Sequence, residues 1–496
     1  MATQRPNILV LMADQLRSDA VYDDGFCRTP NLRALMDRGL SFSRAYTPNP
    51  VCSPARASLM TGKLPHNHDV FWVTHTVNEA HGTIRKGLRH FAQDLSEAGY
   101  KSAYVGKWHV ETTERPGDFG WDIDLSMHSP AWKEKYGSGH GKAGSPSDAV
   151  FIDGPPGYNR SLLCGVTDQD PSGRTMGHVA DEAVSLIDRF HGTSQPWCVF
   201  ASVTEPHDPY IAGRAAYDAC ATAAWEPPAA DYSKPGPSVP VLYRRASEAF
   251  SSLTEAQKRH AARCYAASVM EIDGQFGRIL KRLEDLDIVD NTLVVLVSDH
   301  GDFLGAHGMY CKNIGAWEEA YHIPLVVAGP GIGCGVATKA RVGSHQIFPS
   351  LLDFCGIPSA INCDAPLCSD VLRASAVSRA SALESSALEA AEDRHRIGFA
   401  ENHGSRFLLT QRIYYQDQWK LVMNGFDQDE LYNLESDPHE TRNLVPPPCG
   451  SMDRELEDVY RGLYRGMWKI IVETGDHTLV NSHYPGIRSA AYGPDV

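Results

Sequence analysis

R-P-N-I-L-V-L-M-A-D-Q, Arg5 to Gln15, and T-L-V-V-L-V-S-D-H-G-D, Thr292 to Asp302, read as the same device used twice. Ile8 to Met12 and Leu293 to Val297 are apolar without alternation, the pattern of strands buried on both faces of a parallel sheet. Asp14 and Gln15 then fall at the carboxyl end of the first strand, and Asp299 and His300 at that of the second. Open α/β sheets place their ligands at that edge. Two carboxylates, an amide oxygen and an imidazole can together hold a divalent cation. The alternative for either pair alone is an ordinary polar loop after a strand.

Between them lies P-N-P-V-C-S-P-A-R-A-S-L-M-T-G-K. Pro54 suits the first turn of a helix, Ala55 to Met60 continue it, and Thr61-Gly62 stop it. Cys52 therefore stands at a helix start, where unpaired N–H groups favour an anion. Arg56, one turn on, reaches the same space. A buried packing thiol and a low-pKa nucleophile are both readings of such a cysteine.

The pentapeptide C-S-P-A-R resembles the C-x-P-x-R signature of the type I sulfatases. In that family the cysteine is oxidised to formylglycine by a dedicated formylglycine-generating enzyme. Further segments carry the resemblance: G-K-W-H (Gly106–His109), E-P-H-D-P-Y (Glu205–Tyr210), G-A-H-G-M-Y-C-K (Gly305–Lys312) and the tail segment Asp429–Leu444. It implies that Cys52, Arg56, Lys107, His109, His207 and Lys312 are catalytic. It also implies that Asp14, Gln15, Cys52, Asp299 and His300 surround one metal. Oxygen donors put calcium first; the imidazole brings in manganese, with magnesium and zinc behind.

Two departures matter. Many arylsulfatases carry Asp-Asp where this chain has Asp14-Gln15, and Asn where it has His300. The pairing here is closer to choline-sulfatase-type, glycan-sulfatase and phosphonate monoester hydrolase members. The implied substrate is a small-molecule or saccharide sulfate ester, with phosphonate monoester or phosphodiester hydrolysis as the enzymatic alternative. A two-metal phosphatase would need a second ligand cluster, and none is visible in the sequence. A non-catalytic binding protein would be expected to have lost some of these residues. For the leaving-group side, Trp72, His75, Glu111, Tyr210, Tyr310 and His403 are candidates, aromatic and carboxylate groups suiting a sugar or a choline-like cation.

The chain has 496 residues, 42% hydrophobic and 22% charged, the balance of a globular protein. Strand and helix patterns alternate through Gly356, and shorter alternating runs follow. This predicts an α/β fold: a large, mostly parallel, helix-sandwiched sheet of alkaline-phosphatase-like type, residues 1–375. A C-terminal subdomain, 376–496, should contain an antiparallel sheet. Helices are expected at Pro30–Gly39, Leu88–Glu97, His178–Phe190, Thr254–Leu286 and Met452–Val472. Lys133–Ser147 reads as a mobile loop and 226–240 as a surface insertion.

A net charge of −15 speaks against nucleic-acid and anionic-membrane partners. Arg56, Lys107, Lys312 and a divalent metal against Asp14 and Asp299 leave the pocket with a surplus of three positive charges. No apolar run approaches the roughly 20 residues of a membrane span. The first strand starts too early for a signal peptide, so a cytoplasmic location is expected. The twelve cysteines lack metal-finger spacing and should be free thiols. Residues 474–496 keep Leu479, Val480, Tyr484, Ile487 and Tyr492 without periodicity, which suggests a tail crossing to a partner in a homodimer or homotetramer.

Overall fold

The computed structural model describes all residues except 1–4, 23–26, 138–145, 155–156, 158, 221–235, 237, 313, 378–381, 406–407, 448–449, 481–489 and 495–496. An eight-stranded sheet forms its centre. Its strands are β1 (Asn7–Asp14), β2 (Gly39–Tyr46), β3 (Lys101–Gly106), β4 (Ile123–Ser126), β7 (Trp197–Pro206), β9 (Thr292–Ser298), β10 (Leu325–Ala328) and β11 (Val336–Gly343). The order is β11-β2-β10-β9-β1-β7-β3-β4. β1 lies at the middle, parallel to both β7 and β9.

Every residue of β1 is buried. Leu9, Leu11 and Ala13 enter one hydrophobic layer, and Ile8, Val10 and Met12 the other. Burying each large apolar side chain contributes about 1.5–3 kcal/mol, so the central strands need no polar face. The sheet is not wholly parallel. β10 runs antiparallel to both β2 and β9. β2 had no counterpart among the sequence expectations.

A three-stranded sheet flanks this core: β5 (Ser147–Ile152), β6 (Ser161–Thr167) and β8 (Tyr210–Gly213), in the order β5-β6-β8. The helix Glu255–Asp285 opens with a Thr254/Gln257 capping box and packs against this sheet and the helix Thr175–His191. The separate antiparallel sheet is β12 (Ile397–Asn402), β13 (Gln411–Gln416), β14 (Trp419–Asn424) and β15 (Glu430–Asn433). The helix Arg454–Thr474 covers it through Tyr460, Leu463, Tyr464, Met467 and Ile471. Residue 375 falls within the helix Ser369–Val377.

Several local expectations are corrected. The helix expected from Leu88 spans Phe91–Glu97, because His90 is its N-cap: its ring nitrogen accepts from Ala92 N. Lys133–Tyr136 belongs to a helix started by Pro130 and capped by Ser129, so the loop begins later. Most of that expected loop, and most of the 226–240 insertion, lie outside the described residues. In the tail, Leu479 and Tyr492 pack on the chain's own C-terminal core, and Tyr492 O accepts from Trp468 Nε1 at 3.0 Å. Tyr484 and Ile487 lie outside the described residues. The eleven described cysteines are free thiols.

Candidate active site

The carboxyl ends of β1 and β9 are latched together before any functional side chain is placed. Ser298 Oγ donates to Ala13 O at 3.0 Å and accepts from Leu16 N at 2.9 Å. Gln15 N donates to Asp299 Oδ1 at 3.0 Å, across the two strand ends. Gln15 itself is left-handed, φ 66°, and its carbonyl is fixed by Tyr265 Oη from the long helix at 2.7 Å. A non-glycine residue in that region is strained and persists only where its surroundings hold it.

Cys52 opens the helix Cys52–Thr61, which Gly62 ends in left-handed geometry, as expected. The thiol is buried. Its Sγ lies 3.2 Å from His300 Nε2 and 3.8 Å from Asp14 Oδ1. Ligand atoms of Asp14, Cys52, Asp299 and His300 all fall within 4.8 Å of one another. Arg56, fully buried, donates from Nε to Asp299 Oδ2 at 2.8 Å and from Nη2 to Asp14 Oδ2 at 3.1 Å. Its Nη1 reaches Lys107 O at 2.9 Å and Ser202 Oγ at 3.0 Å. The guanidinium thus ties four strands of the central sheet together.

Lys107 follows Gly106, where no other residue fits: φ is 91° and a Cβ would stand 2.0 Å from Ser202 O. Its Nζ contacts Asp14 Oδ2. Lys312 Nζ contacts His207 Nε2 and donates to Gln15 Oε1 at 3.2 Å. The Gln15 amide nitrogen is used behind, by Asp208 Oδ1 at 3.1 Å and by Asp302. Its oxygen, which accepts from Lys312, therefore faces the cluster with its lone pairs, as a metal ligand requires. His109 reaches the Cys52 thiol and shares a 3.0 Å contact with His75 Nδ1. The side chains of Lys107 and His207 keep 14% and 24% exposure, so solvent meets the cluster there.

The electrostatics follow from burial amid charge. Burial opposes ionisation of Cys52, but Lys107, Lys312 and His300 outweigh it and hold the thiol well below its ordinary pKa. Burial brings His109 down to about 4. His207 moves the other way: burial and Lys312 disfavour its charged form, while Asp208 and Asp14 favour it and win. Asp14 is held low by Lys107, His207 and Arg56 against desolvation and the Cys52 charge.

Two carboxylates were missed as site members, Asp208 and Asp302, although both sit in quoted segments. Asp302 accepts from Tyr210 Oη at 2.8 Å. With them, four acids face the three cations Arg56, Lys107 and Lys312, so the expected surplus of three positive charges is too high. Without a metal the acids lead by one; this deficit and the oxygen-rich donor set both fit a divalent cation.

The remaining candidates separate. His75 joins the cluster through His109, and Tyr210 stands behind Gln15 through Asp302. Trp72 donates to His403 O at 2.8 Å, in a patch with Phe71 and His81. Glu111 turns back on its own loop, accepting from Thr113 Oγ1 at 3.1 Å. Tyr310 is buried beside Phe250, ring centroids 5.4 Å apart. Among the described residues two further groups are of metal-ligating type, His66/Glu401/Asp476 and Cys164/His260/Cys264, neither sharing a residue with the Cys52 group.

This sheet, with its charged side chains gathered at one strand edge, is the alkaline-phosphatase-like α/β arrangement. Residues 6–357 match the sulfatase family model, and the chain belongs to that family. It is a sulfuric ester hydrolase. It is 28% identical over 522 residues to the choline-sulfatase of Rhizobium meliloti, spanning 100% of this chain and 94% of the relative. An N-acetylglucosamine-6-O-sulfatase of Bacteroides thetaiotaomicron is 24% identical, over 89% of this chain and 83% of its own. In structure, the phosphonate monoester hydrolase of Agrobacterium radiobacter superposes with a TM-score of 0.72 at 20% identity, covering 95% of this chain and 96% of its own.

Proposed function

We propose that the protein hydrolyses the sulfate monoester of a small alcohol or saccharide, with Cys52 converted to formylglycine as its reactive centre. The supporting observation is the position of Cys52 Sγ, at a helix N-terminus within one cluster with Asp14, Asp299 and His300. A sulfatase-family relative acting on choline sulfate and another on a sulfated sugar are compatible with this substrate class.

Asp14, Gln15, Asp299 and His300 would hold one divalent cation, calcium first and manganese second. When present, formylglycine supplies a hydrated aldehyde as nucleophile, and the cation supplies charge that lowers its pKa. The chain's own groups do the rest. Lys107 and Lys312 aim their ammonium groups at shared space, where they bind the nonbridging sulfate oxygens. Arg56 is spent on Asp14 and Asp299, so it orients the carboxylates and leaves the substrate to the lysines. His207 Nδ1 is anchored on Asp208 O at 2.6 Å, so Nε2, which Lys312 contacts, is the nitrogen that meets the leaving oxygen once Lys312 turns to the sulfate. Its raised pKa keeps a proton available near neutrality for that donation. His109, held neutral, is the acceptor of the second proton, with His75 behind it.

The phosphonate reading rests on the shared monoanionic shape of the two esters. Two measurements test the proposal. The peptide containing Cys52 should be lighter than its thiol form by about 18 mass units, the thiol-to-aldehyde change at a nucleophile site. An aryl sulfate should exceed an aryl phenylphosphonate in kcat/KM. An unmodified thiol in fully active protein would refute the chemistry, and the reverse preference would refute the substrate class.

A further inference from the structure

A second cluster lies where β6 meets the long helix. Cys164 comes from the strand, and His260 and Cys264 come from the helix, one turn apart on one face. Their ligand atoms all lie within 4.8 Å of one another. Cys264 Sγ is 3.7 Å from His260 Nε2. In a tetrahedral zinc site, with Zn–S near 2.3 Å and Zn–N near 2.0 Å, neighbouring donors stand about 3.5–3.8 Å apart. Both thiols are buried and the imidazole is half-buried, so one side remains open to a water or to the carbonyl of Asp148, 2.9 Å from the same nitrogen.

The surroundings are those of an oriented ligand. Tyr217 Oη lies 2.7 Å from His260 Nδ1. As the ring stands, Nε2 donates to the Asp148 carbonyl and Nδ1 faces Tyr217 Oη; cation binding takes the other tautomer, with the proton on Nδ1 directed at that hydroxyl and the Nε2 lone pair turned to the cation. Tyr217 is itself fixed by Arg263, whose guanidinium stacks 3.8 Å from the ring and donates to Tyr217 O at 2.8 Å.

We infer that Cys164, His260 and Cys264 form a binding site for one thiophilic divalent cation of the zinc class, separate from the Cys52 cluster. Such a cation ties the β5-β6-β8 sheet to the long helix. Cys164 pairs in register with Tyr210, whose hydroxyl holds Asp302 behind Gln15. The site is therefore structural, one strand removed from the active centre.

Cadmium is the probe, because its thiolate bond gives an ultraviolet charge-transfer band. The full chain carrying Cys52→Ser, so that the active-site thiol adds nothing, is stripped with chelator, reduced and titrated. One cadmium per chain should bind, with two thiols protected from alkylation and a raised Tm. The further pair Cys164→Ser/Cys264→Ser should lose the band. His260→Gln, at a half-exposed position that tolerates change, should keep the fold and bind about tenfold more weakly or worse. An equal titration in the serine pair or in His260→Gln would overturn the site. So would two thiols that resist alkylation without metal until reductant is added, since that marks a disulfide pair.

Discussion

Two buried ionic networks in this molecule differ in where their bonds lead. Around Asp14, the cations Lys107 and Lys312 aim at a common space that solvent reaches past Lys107 and His207. Around Arg412, in the C-terminal sheet, the bonds close on themselves. Its guanidinium is consumed by Asp476 at 2.7 Å, Gln411 O at 2.9 Å and Thr478 at 2.9 Å. Both oxygens of Glu401 are taken, by His66 at 2.9 Å and His403 at 2.8 Å. Density of buried charge therefore does not mark a site. Cations that converge on one space reached by solvent do, and that distinction makes the two networks separable by mutation.

The largest expected effect is on the open network. Cys52→Ser should reduce steady-state turnover by roughly 10⁴-fold or more, since removing a nucleophile disables groups that act as a unit. A single labelled turnover should survive, and sustained turnover at the unmutated rate would contradict the proposed nucleophile. On the closed network, Arg412→Met should cost about 3–5 kcal/mol of stability by leaving Glu401 and Asp476 uncompensated. Urea unfolding reads that loss, while kcat of the folded protein stays unchanged. A fall in kcat without a fall in stability would erase the comparison.

Lys312→Ala should lower kcat by about 10²–10³-fold, the usual scale for one transition-state donor, with little change in Tm. The smallest effect is a pH slope that belongs to neither network. Burial brings His68 and His90 down to about 3 and His345 to about 4. Unfolded, each titrates near 6.5. The unfolded chain thus binds more protons in acid, so their stabilisation is complete above about pH 6.5 and is lost as pH falls toward 4 and then 3. Each contributes a slope of about 1.4 kcal/mol per pH unit in that window. His90→Asn, which keeps an N-cap acceptor, should flatten stability against pH between about 4 and 6.5 by one such slope. An unaltered slope would show that His90 does not titrate on unfolding.

The comparison also explains what could be read from residues alone. β1 and β9 were legible because Ile8–Met12 and Leu293–Val297 are buried on both faces, which leaves an unbroken apolar run. Lys107 and His207 were legible because each stands at the end of an apolar strand, and Cys52 and Lys312 because their short segments, C-S-P-A-R and G-A-H-G-M-Y-C-K, are distinctive. β2 was hidden, since Gly39 reads as the terminator of the preceding helix and Leu40-Ser41-Phe42-Ser43 carries too few large apolar residues to form an unbroken run. β10, four residues long, gives too short a pattern to reveal its antiparallel direction. Asp208 and Asp302 stood beside stronger candidates, and only the Gln15 amide, reaching both, shows that they belong to the site. His260 and Cys264 escaped attention because their third partner, Cys164, is supplied by a distant strand.

Cys52 is only 1% exposed in the folded chain. A maturation enzyme could not reach it there, so the proposed conversion must occur while this stretch is still unfolded. The residue whose ring closes against the thiol, His300, follows it by 248 positions. At ordinary synthesis rates of roughly 5–20 residues per second, the interval between the two leaving the ribosome is on the order of 10–50 s. Folding of the central sheet thus acts as a deadline for maturation: a chain that closes β9 onto β1 unmodified is stable, well packed and permanently without its nucleophile.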